Sequence, residues 1–237
     1  MGLQRRAELK RKPMAKKPPK PKTCAICTGE FVPQRAGQKV CCPVPCGVEY
    51  ARQQEAKKKA KERHARRAKT RAELEAMKTI SDLTKEAREK FNAFIRELDE
   101  GRPCVSSGAL TAGDHLTGGS WDCGHFRTVG AQPALRFVPL NAHRQRKHDN
   151  RDKSGAQDEQ RKTLLRWYGE EIVAWLERDY GQPQWRHDDL REIREHYAAE
   201  RRRLRADRRA GKQWDAIEYR VRLYERVMGG ERVIGFP

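Results

Sequence analysis

The chain has 237 residues, with 52 Lys and Arg against 33 Asp and Glu, a formal charge of +19, and equal hydrophobic and charged fractions of 36%. That balance excludes one large core and predicts a few small packed units joined by charged helices. The surplus of cations points to a polyanionic partner, because neutralising phosphates releases counterions and drives binding without sequence choice. No apolar run approaches the ~18 residues of a membrane span, and the N-terminus lacks a signal-peptide core, so a cytoplasmic protein with no membrane partner is expected. In a reducing cytoplasm the seven cysteines read as ligands or buried thiols rather than disulfides.

Residues 1–22 hold nine Lys/Arg, four prolines and one acid, and read as a basic disordered arm that touches nucleic-acid backbone. Residues 23–50 carry Cys24-x2-Cys27, fourteen further residues, then Cys42-x3-Cys46, with Cys41 beside them. Two thiol pairs separated by a short loop suit one tetrahedral structural Zn²⁺, which a unit this small needs in order to fold. Spacing does not choose between Cys41 and Cys42; Cys42 gives the commoner register and completes the set Cys24, Cys27, Cys42 and Cys46. Residues 51–83 are a charged helical linker with almost no apolar stripe, read as a spacer.

A helix is expected from Thr84, as N-cap, to Leu98, with Ala87, Phe91, Phe94, Ile95 and Leu98 on one face. Cys104 to Gly108 reads as a tight turn, and a Gly/Thr/Ser-rich loop containing Asp114 and His115 follows. The centre, 121–154, reads strand (Trp121 to Arg127), Gly/Pro break, strand (Leu135 to Val138), a turn at Asn141 to His143, and a helix starting between Lys147 and Lys153. This stretch gathers Asp122, His125, Asn141, His143, His148, Asp149, Asn150 and Asp152. Such a mix of imidazole, carboxylate and amide is what a divalent ion and a water-activating base require. Residues 157–237 read as helices: one divided at Gly169, one opening near Asp188 and ending in a crowd of arginines (Arg201, Arg202, Arg203, Arg205, Arg208, Arg209), and one from Trp214 to Val227 with a Trp214, Ile217, Val221, Tyr224 and Met228 stripe. The fold class is α+β, with a nuclease-like ββα core and its leading helix over 84–156.

Several pieces carry a resemblance: Phe91-Asn92-Ala93-Phe94-Ile95-Arg96-Glu97, Asp122-x-Gly-His125-Phe-Arg-Thr, Leu135-Arg136-Phe137, Asn141-x-His143-x-Gln145 and Asn150-x2-Lys153-Ser154-Gly155. Over roughly residues 23–205 the chain resembles the NinG/Rap proteins of lambda-type phages, recombination endonucleases with an HNH-like (ββα-metal, treble-clef) catalytic unit. One departure stands out. The family places two thiol pairs at the turn and ahead of the helix, whereas here those positions read Cys104, Ser107, Arg146 and Asp149, so a second tetrahedral zinc is not expected and polar contacts such as Arg146 to a nearby acid should replace it.

The resemblance implies a structure-selective endonuclease cleaving branched DNA (Holliday junctions, D-loops) by metal-dependent phosphodiester hydrolysis. It places His125 on the hairpin as general base, with His143, Asn150 and Asp122 holding one catalytic Mg²⁺ or Mn²⁺. Gly124 stands where many HNH proteins carry Asp, which makes Asp122 the less secure ligand, and Asn141 is expected to brace the turn. Arg127, Lys153, Arg201, Arg202 and Arg203 are the expected phosphate contacts. A symmetric cut calls for two sites and hence a homodimer, and recombination proteins of the same pathway are further expected partners. The competing readings are a non-cleaving DNA-binding recombination accessory protein and a basic zinc-finger RNA-binding protein.

Overall fold

The computed structural model describes residues 20–111, 121–151 and 156–237. Nearly all of the expected basic arm lies outside these residues, as do Asp114, His115, Asp152 and Lys153. The chain divides into two units, one running through Ala76 and the other spanning Met77–Pro237. No described helix is long and apolar enough to cross a membrane.

In the first unit β1 (Lys22–Thr23) pairs antiparallel with β2 (Glu30–Phe31), and the loop between them carries Cys24 and Cys27. A turn over Pro43–Gly47 leads into α1 (Val48–Ala76), a 29-residue helix with no buried residue. Its Ala, Lys, Arg, Glu and Gln residues favour helix intrinsically, and pairs such as Lys59–Glu55 at 2.7 Å add surface support.

The second unit opens with α2 (Ile80–Leu98), which begins four residues before the start expected from the apolar stripe. The cap is Thr79: its Oγ1 accepts from the Asp82 amide at 3.2 Å while the Asp82 carboxylate accepts from the Thr79 amide at 3.0 Å. This reciprocal arrangement satisfies two donors that a bare helix end would orphan. Thr84 sits one turn inside the helix, its hydroxyl donating to the Ile80 carbonyl at 2.7 Å. Leu83, Ala87, Phe91, Phe94, Ile95 and Leu98 are buried, and each large side chain contributes about 1.5–3 kcal/mol of apolar transfer.

The central hairpin consists of β3 (Trp121–His125) and β4 (Ala142–Arg146), paired antiparallel from Trp121↔Arg146 to His125↔Ala142. The second strand therefore falls on the segment read as a turn. Leu135 to Val138 is not a strand. Pro133 and Pro139 start two 3₁₀ turns around it, and Leu135, Phe137, Val138 and Leu140 are buried between helices. Asn141 braces the connection as expected: its Oδ1 accepts from the Arg127 amide at 2.7 Å, and its Nδ2 donates to the Arg127 and Leu135 carbonyls at 3.0 and 3.1 Å. α3 (Lys147–Arg151) follows β4 directly.

α4 (Gln157–Glu177) is broken at Gly169, whose φ of +80° favours glycine. α5 (His187–Arg209) packs along α2, and α6 (Ala216–Met228) is capped by Asp215, which accepts from the Ile217 and Glu218 amides at 2.7 and 3.3 Å. One core joins α2, α5, Cys123, Ala142 and Phe137; the other joins α4, Phe126, Leu140 and Tyr224. The hairpin thus separates two apolar layers. On α6 the expected stripe is altered, since Met228 is exposed and Arg220 is wholly buried.

Candidate functional site

Four thiols of the first unit converge: Cys24, Cys27, Cys41 and Cys46 have their sulfurs within 4.8 Å of one another. The fourth partner is Cys41, not Cys42, which corrects the spacing argument. Cys42 lies outside the convergent set, its Sγ 3.7 Å from that of Cys41, and its carbonyl accepts the Gly47 amide at 3.0 Å as the chain turns toward α1. Burial opposes ionisation of Cys24, but main-chain N–H groups of Cys27, Ile26 and Cys41 outweigh it and pull the thiol down to about 6. A sulfur cradled by amides, in a set of four, fits a structural zinc ion held by Cys24, Cys27, Cys41 and Cys46.

Among the described residues no other three His, Cys, Asp or Glu side chains converge this way. The reason at the hairpin is strand alternation. His125 is paired with Ala142 and His143 with Gly124, so the two rings project from opposite faces. His125 lies on the α2 side, 5.9 Å from the Phe91 ring, whereas His143 lies on the α4 side, 5.7 Å from Trp167 and 5.8 Å from Tyr168. The expectation that these histidines share one metal-and-base cleft is corrected.

His143 is fully buried and its Nε2 is 2.9 Å from the Tyr168 hydroxyl. Burial, and then the Arg220 and Arg102 cations, hold its pKa well below 6.5, an environment that also disfavours a metal ion. Nothing local in the sequence announces the Tyr168 hydroxyl contact, which joins residues 25 apart. Asp122 and Asn150 do come together, the Asn150 amide donating to Asp122 Oδ2 at 3.2 Å. Arg151 occupies the same carboxylate through contacts of 2.8 and 3.3 Å. With its charge matched by Arg151 and the amide of Asn150 turned N–H first, the pair as arranged is a bracket between β3 and α3 rather than a ligand set for a divalent ion.

His125 is half-buried, and its Nε2 donates to the Arg136 carbonyl at 3.0 Å. A carbonyl can only accept, so the proton sits on Nε2 and Nδ1 keeps its lone pair. Burial lowers the pKa below 6.5, against the opposing effect of that hydrogen bond, and the ring is neutral at physiological pH. It is an oriented, unprotonated acceptor.

The positions where the resemblance puts a second thiol set have stayed in contact. Cys104 Sγ and Ser107 Oγ donate to Asp149 Oδ2 at 3.3 and 2.6 Å, and the Arg146 amide donates to Cys104 Sγ at 3.3 Å. Polar contacts tie these positions together, and the acid at their centre is Asp149 of the set itself. Gly124 is explained on the opposite strand: a Cβ there would stand 1.8 Å from Gln145 Oε1.

Of the expected phosphate contacts, Arg201 is 3.5 Å from the buried Glu97 carboxylate, which also accepts from Arg205 at 3.0 Å and Arg208. Arg203 pairs with Glu200 at 2.8 Å. The arginine crowd on α5 is therefore largely spent within the fold, and Arg202 is exposed. Arg127 is half-buried and near enough to Glu177 and Asp179 to help hold their carboxyls down, as secondary to their hydrogen bonds with Arg161 and Gly181.

The family model described as "Bacteriophage Lambda NinG protein" matches residues 16–207. The chain is 34% identical over 201 residues to "Protein ninG" of Escherichia phage 933W, covering 80% of this chain and 96% of that one. It is 33% identical over 193 residues to the proteins of the same name from Escherichia phage lambda and Salmonella phage P22, covering 77% of this chain and 91% and 92% of theirs. No solved structure matches.

Proposed function

This chain belongs to the NinG family of lambda-type phages, and on that footing we propose that it is a branched-DNA endonuclease of phage recombination with His125 as general base. The observation that carries the reading is the His125 ring, held through Nε2–H by the Arg136 carbonyl and left neutral with a lone pair on Nδ1. An attacking water donates its proton to Nδ1 as its oxygen bonds to phosphorus, the bond to the leaving sugar oxygen breaks and that oxygen takes a proton from solvent water, and a base so positioned contributes roughly 10²–10⁴-fold. The +19 charge supplies the attraction to a phosphate backbone. Because Asp122 and Asn150 are not arranged as ligands, no step is assigned to a bound ion, and two copies would be needed for a symmetric cut.

The test is cleavage of an end-labelled four-way junction with Mg²⁺ and with EDTA, by wild type and His125→Ala. Loss of cutting with junction binding retained supports the base assignment. Equal loss of cutting and binding rejects it.

A second reading, a DNA-binding recombination accessory that does not cut, is favoured by one observation. The strand register puts His125 on the face opposite Asp122 and His143. Under that reading wild type binds the junction and leaves it intact with or without Mg²⁺.

A further inference from the structure

A cavity of about 300 Å³ opens between the first turns of α2 and the turn that follows Pro133–Leu135, lined by Ser81, Thr84, Lys85, Arg88 and Arg136. Three of its five lining residues are cations and none is acidic. Among the described residues no carboxylate lies within ion-pair distance of Lys85, Arg88 or Arg136, and Arg136 Nε is buried with no hydrogen-bond partner. Of the acids on this stretch of α2, Asp82 closes the Thr79 cap and feels Lys85 only as a secondary charge, and Glu86 takes Lys78 at 2.7 Å and Arg194 at 2.6 Å. Arg136 also has its pKa lowered, first by burial and then by the Arg88 guanidinium. Like charges gathered without a counter-charge destabilise the compact state, which makes an anion the missing component.

Charge elsewhere on the chain is handled differently. A second cavity, about 670 Å³ between α5, α6 and the C-terminal segment, is lined by arginines matched to acids, including Arg203 to Glu200 and Arg232 to Glu192. The α2 cavity instead sets Ser81 beside three cations in one open space, and a phosphodiester oxygen accepts from hydroxyl and cation donors alike.

Its position gives the cavity a role. Arg136 lines it, and the carbonyl of the same residue holds the His125 ring. We propose that this cavity is a backbone-phosphate subsite for DNA, seating a phosphate of the strand whose neighbouring link is presented to His125. The location relative to the reaction rests on the nuclease reading above; the binding itself does not.

The test is fluorescence anisotropy of the full chain on a labelled four-way junction across a salt series. Wild type is compared with Lys85→Gln, Arg88→Gln, Arg136→Gln and the Arg88/Arg136 double variant. Arg222→Gln, whose guanidinium pairs with Glu218, is the control. Each cavity variant should reduce the slope of log affinity against log salt by up to about one, the double variant by more than either single, and the control should not change it. Thermal midpoints should hold or rise, since like charges have been removed. Wild-type slopes in Lys85→Gln and Arg88→Gln overturn the subsite. If Arg136→Gln unfolds, those two exposed positions decide the matter. Cleavage is scored separately: reduced slopes without cutting by wild type keep the subsite and reject hydrolysis, whereas cutting with unchanged slopes rejects the subsite alone.

Discussion

Arg220 of α6 and Asp99 at the end of α2 form a two-bond ion pair of 2.7 and 2.9 Å, with side chains 1% and 3% exposed. Arg220 also donates to the carbonyls of Pro139, Ala142 and Ala216 at 2.8, 2.9 and 3.2 Å, and Asp99 accepts the Arg144 amide at 2.9 Å. One guanidinium therefore ties the last helix to α2 and to the start of β4. Breaking a buried pair leaves a charge without compensation. Arg220→Ala should cost about 3–5 kcal/mol in urea denaturation. A loss under about 1 kcal/mol would show that the pair is not what locks α6 to the hairpin.

The thiol geometry makes a separable prediction for zinc. Purified wild type should contain one Zn²⁺ per chain by elemental analysis, Cys41→Ser should lose it, and Cys42→Ser and Cys104→Ala should keep it. Retention in Cys41→Ser with loss in Cys42→Ser would reverse the assignment.

The hydrogen-bonded knuckle can be converted. Cys104, Ser107, Arg146 and Asp149 already lie in mutual contact through three bonds. Ser107→Cys, Arg146→Cys and Asp149→Cys together with native Cys104 complete a four-thiol set, and the metal content should rise from one to two. A stoichiometry still at one would mean that the backbone has drifted from tetrahedral reach.

Gly124 should resist substitution. Gly124→Ala drives a methyl into Gln145, and the cost expected of such overpacking is about 1–3 kcal/mol. Adding Gln145→Ala should recover part of it, and a double variant no better than the sum of the singles would place the strain elsewhere.

Acid should weaken the fold through the hairpin histidines. Burial lowers the pKa of both His125 and His143, the latter well below 6.5, so both are neutral when folded. Unfolded, they take up protons near 6.5. Protons therefore favour the unfolded chain as pH falls below about 6.5, and their stabilising contribution is complete above it and lost on the way down to the folded-state values. The thermal midpoint should be level from pH 7 to 8 and fall by pH 5.5, and His143→Gln should flatten that limb. An unchanged limb in the variant would assign the acid sensitivity to other groups.

Much of this protein was legible along the chain itself. The cysteine cluster, the solvated helix α1, the break at Gly169, the bracing role of Asn141 and the family motifs all follow from neighbours a few residues apart, where propensity, caps and spacing act. Tertiary structure decided the rest. It chose Cys41 over Cys42, made 142–146 the partner of β3, sent His125 and His143 to opposite faces, gathered Arg201, Arg205 and Arg208 on Glu97 and buried Arg220. These outcomes depend on pairing between segments far apart in sequence, and in a strand a shift of one residue reverses every side chain. Local pattern can name the residues that carry chemistry, but only long-range register determines which of them meet.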